Sequence, residues 1–261
     1  MAKALFISHG GGPLPLLGEP SHRQMVDLLG KLGRELPRPK NILLVSAHWE
    51  ANPVAVLAAP RHPLYFDYYN FPPETYRLEY PASGNPLLAG DVRQKLIASG
   101  IHCDEEFERG YDHGMFIPLM LMYPLADIPT IQLSLNPSLD PELHLRMGEA
   151  LADLDKDTLI IGSGFSFHNQ PAFRTNDARM NEVNQRFERW LVETCNSDEL
   201  DESSLRERLR MWELAPGALQ CHPREEHLLP LHLCYGAAGK ACSDYWQIEI
   251  MGKQGSCYYW A

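Results

Sequence analysis

The sequence has no apolar run long enough to cross a bilayer, no Cys-x-x-Cys pair, no Gly-x-Gly-x-x-Gly fingerprint, no internal repeat and no low-complexity tract. Each absence removes a class of protein. A membrane helix needs about 20 predominantly apolar residues, whereas the run at residues 4–8 stops at a polar, glycine-rich loop and is too short for a secretory h-region. The expectation is a cytoplasmic protein with no membrane partner. Basic residues are scarce, 23 Lys and Arg against 34 Asp and Glu for a formal net charge of -11, so no basic stripe is present to displace counterions from a phosphate backbone. Nucleic acid is excluded as a partner. Six cysteines without metal-type spacing, in a cytoplasmic setting, are expected to be reduced and mostly buried. With no linker or composition break, residues 1–261 read as one domain large enough for a substantial core.

What is present is an alternation of short β-rich apolar runs with amphipathic stretches. Strands are expected at 4–8, 41–47, 54–58, 101–107, 129–135, 158–162, 245–251 and 256–260. Helices are expected at 85–99, 140–154, 176–195, 203–212 and 223–236, and also after Ser21, with Met25, Leu28, Leu29 and Leu32 on one face and Pro37 and Pro39 as the stop. Met115, Leu119 and Met122 fall at helical spacing and read as core. The alternation predicts the α/β class: a single domain with a central, mostly parallel sheet covered by helices on both faces. Residues 64–80 fit neither period. Tyr65, Phe66, Tyr68, Tyr69, Phe71, Tyr76 and Tyr80 crowd around Pro72 and Pro73, which makes an ordered aromatic loop, either the roof of a pocket for a flat ring or a cluster packed under itself.

Four histidines share one context. His9, His48 and His168 follow strand-like runs, and His227 lies in a proline-bracketed helix near the C-terminus. In open α/β sheets ligands bind beyond the carboxyl ends of the strands, so residues far apart in sequence converge there. Each histidine alone reads equally well as a cap on a strand or helix end. Their recurrence favours a shared metal site, because neutral imidazole is the commonest protein ligand for first-row metals.

The motifs then align with a known family. Ser-His-Gly-Gly-Gly at 8–12, Val-Ser-Ala-His-Trp at 45–49, Tyr-Asp-His-Gly at 111–114, Ile-Pro-Thr-Ile-Gln-Leu-Ser-Leu at 128–135, Gly-Ser-Gly with His-Asn at 162–169, and His-Pro-Arg-Glu-Glu-His-Leu-Leu-Pro-Leu at 222–231 occur in order along nearly the whole chain. The aromatic segment at 71–84 joins them. Together they resemble the LigB-type (class III) extradiol ring-cleaving dioxygenases, and most closely the DOPA 4,5-dioxygenase-like branch.

That resemblance implies a non-haem divalent metal held by His9, His48 and His227, with His168 as catalytic acid/base or fourth ligand and His113 as a second catalytic residue facing substrate. Glu226 stands beside His227, and adjacent helical residues point about 100° apart, so only one of them is expected to bind. The implied partners are O2 and a small catechol, DOPA-like or neutral, with Fe(II) for turnover and Zn(II) as a form the isolated protein can carry. Trp49 and the aromatic loop would wall the ring. No ligand lies in that loop, so shortening it is expected to spare the metal, and the acidic composition predicts activity indifferent to salt. Two other classes remain open on sequence: a zinc hydrolase, in which the metal lowers the pKa of a bound water, and a metal-binding protein without turnover; four bound histidines would instead close a tetrahedral zinc site of the structural kind. Assembly into a homo-oligomer is compatible with all three.

Overall fold

A computed structural model describes residues 2–175, 177–197 and 199–261. Strand β1 (Lys3–Ser8) is followed by α1 (Arg23–Glu35), β2 (Asn41–Glu50), β3 (Val54–Leu57), α2 (Pro86–Ala98), β4 (Cys103–Glu106), α3 (His113–Met122) and β5 (Thr130–Leu135). Then come α4 (Pro141–Ala150), β6 (Thr158–Gly164), α5 (Gln170–Phe173), α6 (Ala178–Cys195), α7 (Glu202–Arg210), α8 (Ala218–Cys221), α9 (Leu229–Ala238), β7 (Asp244–Ile250) and β8 (Lys253–Trp260).

All eight strands form one sheet in the order β4-β3-β5-β2-β6-β1-β8-β7. The centre is parallel, with β6 flanked by β1 and β2 and β2 by β5, while β8 and β7 close one side as an antiparallel hairpin. Strands covered on both faces need little polar surface, and β1, β5 and β6 are mostly apolar or small and fully or almost fully buried, the buried Gln132 of β5 donating to Asp112. Alternation along β6 shows both covers. Gly162 faces α9, where a Cβ would strike the Pro230 carbonyl, and Ser163 on the other face donates to the Gly114 carbonyl of α3. Helix α9 is buried at every residue because α4 packs on its outer side.

The expected elements are present with shifted ends. Asn85 and Asp140 are caps, their side chains accepting from Leu88 and Glu142 backbone N–H groups. Ser21 is not a cap: a 3-10 turn at Pro20–His22 precedes α1 and no side chain bonds its first turn. The expected start of the fourth outer helix at Asn176 lies outside the described residues; Asp177 caps α6. The stretch 64–80 is irregular apart from a 3-10 turn at Pro73–Arg77. None of the six cysteines forms a disulfide and all are buried, and among the described residues no helix is long and apolar enough to cross a membrane.

Candidate functional site

Five imidazoles meet at the carboxyl edge of the parallel strands. His9 is the residue after β1 and is buried. The turn behind it is tight: Gly10 has φ +76°, and a Cβ there would lie 2.7 Å from the His22 ring, whose Nε2 accepts from the Gly11 N–H at 3.0 Å. A left-handed, side-chain-free residue is required at that point. His48 lies within β2, where the register against β5 shifts between Val45 and Glu50, and such an irregularity re-aims a side chain at a sheet rim. His113 opens α3 after Asp112. His168 follows β6 by four residues, its N–H donating to the Cys221 carbonyl at 2.9 Å.

His227 corrects the expectation of a helical histidine. It lies in the turn ahead of α9, which begins at Leu229, and its carbonyl accepts from Phe165 N–H at 3.0 Å. Gly164 makes that approach feasible, because a Cβ there would collide with the same carbonyl. With no helix at Glu226 and His227, the 100° argument lapses: Glu226 Oε1 accepts from His227 Nδ1 at 2.8 Å.

The Nε2 atoms of His9 and His48 are 2.9 Å apart. The His9 ring centroid lies 5.3 Å from that of His113 and 5.2 Å from that of His227, and His48 is 4.0 and 4.9 Å from the same two. His168 stacks on His227 at 3.4 Å. Two compact donor groups result among the described residues, His9 with His48 and His113, and His168 with Glu226 and His227.

Hydrogen bonds set which nitrogen faces inward. Ser163 gives its proton to the Gly114 carbonyl, so its oxygen accepts from His9 Nδ1 at 3.0 Å. Asp67 Oδ1 accepts from His113 Nδ1 at 2.8 Å and from the His113 backbone N–H at 3.0 Å, while Oδ2 lies 3.6 Å from His48 Nδ1. Glu226 Oε1 also takes His168 Nδ1 at 3.1 Å. Nδ1 is thus committed to a partner in four of the rings and faces a carboxylate in the fifth, which leaves the Nε2 lone pairs for the cavity.

Burial, reinforced by the neighbouring imidazoles, pushes the proton affinities of His9, His48 and His227 well below the ordinary histidine value. These rings are neutral at pH 7, the form that binds metals. Burial alone would raise Asp67 and Glu226. Hydrogen bonds and charge from His113 and His48 on the first, and from His168 and then Arg224 on the second, outweigh it and hold both carboxyls below their usual range.

The rings line a 310 Å³ cavity with Gly10, Gly11, Gly12, Leu14, Tyr68, Phe71, Phe165, Gln170, Phe173, Arg174, Ile250 and Met251. Of the aromatic loop only Tyr68 and Phe71 reach it; Tyr69 is exposed, and Tyr80 is buried elsewhere with its hydroxyl on the Tyr123 carbonyl. The loop is therefore partly roof and partly its own packing. Trp49 does not wall the cavity. It packs under Arg109, whose guanidinium lies 5.0 Å from its ring and also bonds the His48 carbonyl.

Sequence reasoning missed Ser163, Asp67, Phe165, Phe173, Gln170 and Arg174. Two had a signal. Asp67 is the one charged residue in the aromatic run 64–73, and Ser163 is the polar position between two glycines of a buried strand.

This arrangement of imidazoles, backed by carboxylates and a hydroxyl, is found in a chain whose relatives are known by name. Residues 3–259 match the family described as the catalytic LigB subunit of aromatic ring-opening dioxygenase. The chain is 38% identical to dioxygenase tasH of Hapsidospora irregularis, covering 100% of this chain and 86% of that protein. It is 35% identical to 4,5-DOPA dioxygenase extradiol of Beta vulgaris over 91% of this chain and 87% of that one. The fold is shared with an uncharacterized Escherichia coli protein at a TM-score of 0.78 and 29% identity, each chain covered in full. The family match and the shared fold thus run along almost the whole length, and the chain belongs to the LigB family of aromatic ring-opening dioxygenases.

Proposed function

We propose that this protein is an extradiol dioxygenase that opens a small catechol with O2, using a divalent metal held by His9, His48 and His227. The observation that supports it most is the convergence of imidazole Nε2 atoms from five separate segments on one cavity, the Nδ1 atoms facing acceptors behind them. The donor set fits a first-row metal. With metal–nitrogen bonds of about 2.1 Å, ligands at right angles sit about 3.0 Å apart and tetrahedral ones about 3.4 Å, and the His9–His48 pair stands at 2.9 Å. That spacing is short enough for both nitrogens to reach one ion.

His227 and His113 both lie within reach of the first two rings. His227 is preferred as third ligand on the family resemblance and because its Nδ1 is held by Glu226 at 2.8 Å, although His113 groups more compactly with the first pair. When bound, the metal supplies the centre at which catechol oxygens and O2 meet and through which electron density passes from ring to oxygen. The chain's own residues do the rest. His168, fixed by Glu226 through Nδ1, presents Nε2 to accept a catechol hydroxyl proton and later return one; that nitrogen now bonds the exposed Gln170 amide at 3.0 Å. His113, held by Asp67, turns Nε2 toward a substrate oxygen. Tyr68, Phe71, Phe165 and Phe173 hold the ring and exclude water. Cleavage beside the two hydroxyls places both atoms of O2 in a ring-opened semialdehyde acid.

The test is anaerobic loading with Fe(II), then exposure of a panel of catechols to oxygen, following O2 uptake and a yellow product together. Uptake with product supports the reading. An Fe(II)-loaded, folded protein that consumes no O2 with any catechol, or a Zn(II) form that hydrolyses esters or amides instead, overturns it.

A further inference from the structure

The cavity wall carries one guanidinium, Arg174, and no carboxylate, in a chain where acidic residues outnumber basic ones 34 to 23. The two carboxylates behind the imidazoles are engaged, Asp67 by His113 and His48, and Glu226 by His168, His227 and Arg224. Arg174 is not. It follows the short helix α5, is exposed, and its guanidinium makes no ion pair or side-chain hydrogen bond among the described residues.

The same α5 segment places Gln170 on His168 and Phe173 against Phe165, ring planes 10° apart. The cavity therefore presents imidazoles, apolar rings and a free guanidinium. At 310 Å³ it is at the lower end of the roughly 300–1,000 Å³ usual for small-molecule sites, room for one ring with a short substituent.

We propose that Arg174 is a specificity-determining residue and that the preferred substrate is a catechol whose short side chain ends in a carboxylate and carries no ammonium group. This rests on the ring-opening reading and narrows it. The guanidinium offers paired N–H donors matched to a carboxylate. An ammonium group finds no negative charge on the wall and meets Arg174 with like charge. The overall acidity of the chain, which would predict indifference to salt, is not what the substrate meets once inside; binding of the acid weakens as ionic strength rises.

The experiment compares 3-(3,4-dihydroxyphenyl)propanoate, its neutral amide, and dopamine on the Fe(II)-loaded wild type and Arg174→Gln, an exposed substitution that leaves the core intact. KM is read from ring opening, and Kd by anaerobic calorimetry. In the wild type the acid is expected to bind roughly tenfold more tightly than the amide, the lower end for a charge-assisted hydrogen bond, with dopamine weaker than both. In Arg174→Gln the acid-to-amide ratio falls to about one. An unchanged ratio in the variant, or a wild type that favours dopamine over the amide, overturns the proposal. If no catechol is opened, the ring-opening reading fails by itself, and the calorimetric ratios still decide the role of Arg174.

Discussion

His168 and His227 lie face to face, ring centroids 3.4 Å apart and planes 16° from parallel, with one carboxylate oxygen, Glu226 Oε1, touching Nδ1 of both. Two imidazolium rings cannot stack this closely without strong repulsion, so Glu226 serves one ring that stays neutral and one free to take a proton. On the proposed reading, a single side chain thereby couples metal holding to proton transfer.

Glu226→Gln should therefore injure both functions at once. Mutation of a partner behind a ligand typically costs about 10–100-fold in metal affinity, and with the carboxylate charge gone kcat should fall as well. Chelator competition for affinity and O2 uptake for turnover measure the two; a variant with either one intact would dissolve the coupling.

His168→Ala should separate them. About 10²–10⁴-fold of rate is the usual contribution of a general acid/base, so turnover should collapse while metal content stays near wild type. Metal loss in this variant, by elemental analysis, would make His168 a ligand and revive the closed zinc site. His9→Ala or His48→Ala should abolish metal content outright.

Asp67→Asn should weaken metal binding although it lies in the aromatic loop, because Asp67 holds the His113 ring and faces His48. Shortening the loop would not spare the metal, contrary to what its lack of ligands suggests. Affinity unchanged within about twofold in Asp67→Asn would return the loop to a purely enclosing role; the effect expected from such outer partners is about tenfold or more.

The metal-free protein should lose stability as pH falls below about 6.5. His9, His48 and His227 have folded-state affinities pushed well below that value by burial and by one another. Unfolded, they titrate near 6.5, so below it the unfolded chain binds protons that the folded one does not. Asp67 and Glu226, held below their unfolded values of 3.8 and 4.5, extend the loss at lower pH. Thermal melts should show a Tm that is level near neutrality and drops on acidification; a Tm rising between about pH 7 and 5.5 would contradict the neutral-ring assignment.

Much of this was legible in the chain because it depends on local pattern. Continuous apolar runs with histidines at their ends announced parallel strands and the edge they feed, as at His9 and His168. What was hidden depends on packing across distant segments. Nothing near His227 says that Gly164, 63 positions earlier, would admit its turn and remove it from a helix. Trp49 read as a wall because it neighbours His48, but alternation along β2 sends adjacent side chains to opposite faces, and Arg109 claims it. Phe165 and Phe173, which also line the cavity, belong to segments of ordinary composition.

The five cavity imidazoles stand at positions 9, 48, 113, 168 and 227, spread over almost the whole chain and brought within a few ångströms only by the completed sheet. On the proposed reading no fragment can hold the ion as the whole does, so metal binding and global folding are linked equilibria. Saturation at about 100 times Kd would add about 2.7 kcal/mol to the entire fold. Metal loss would then lower the stability of the whole chain at once, and the metal-free protein should be cleaved by a protease more readily than the loaded one.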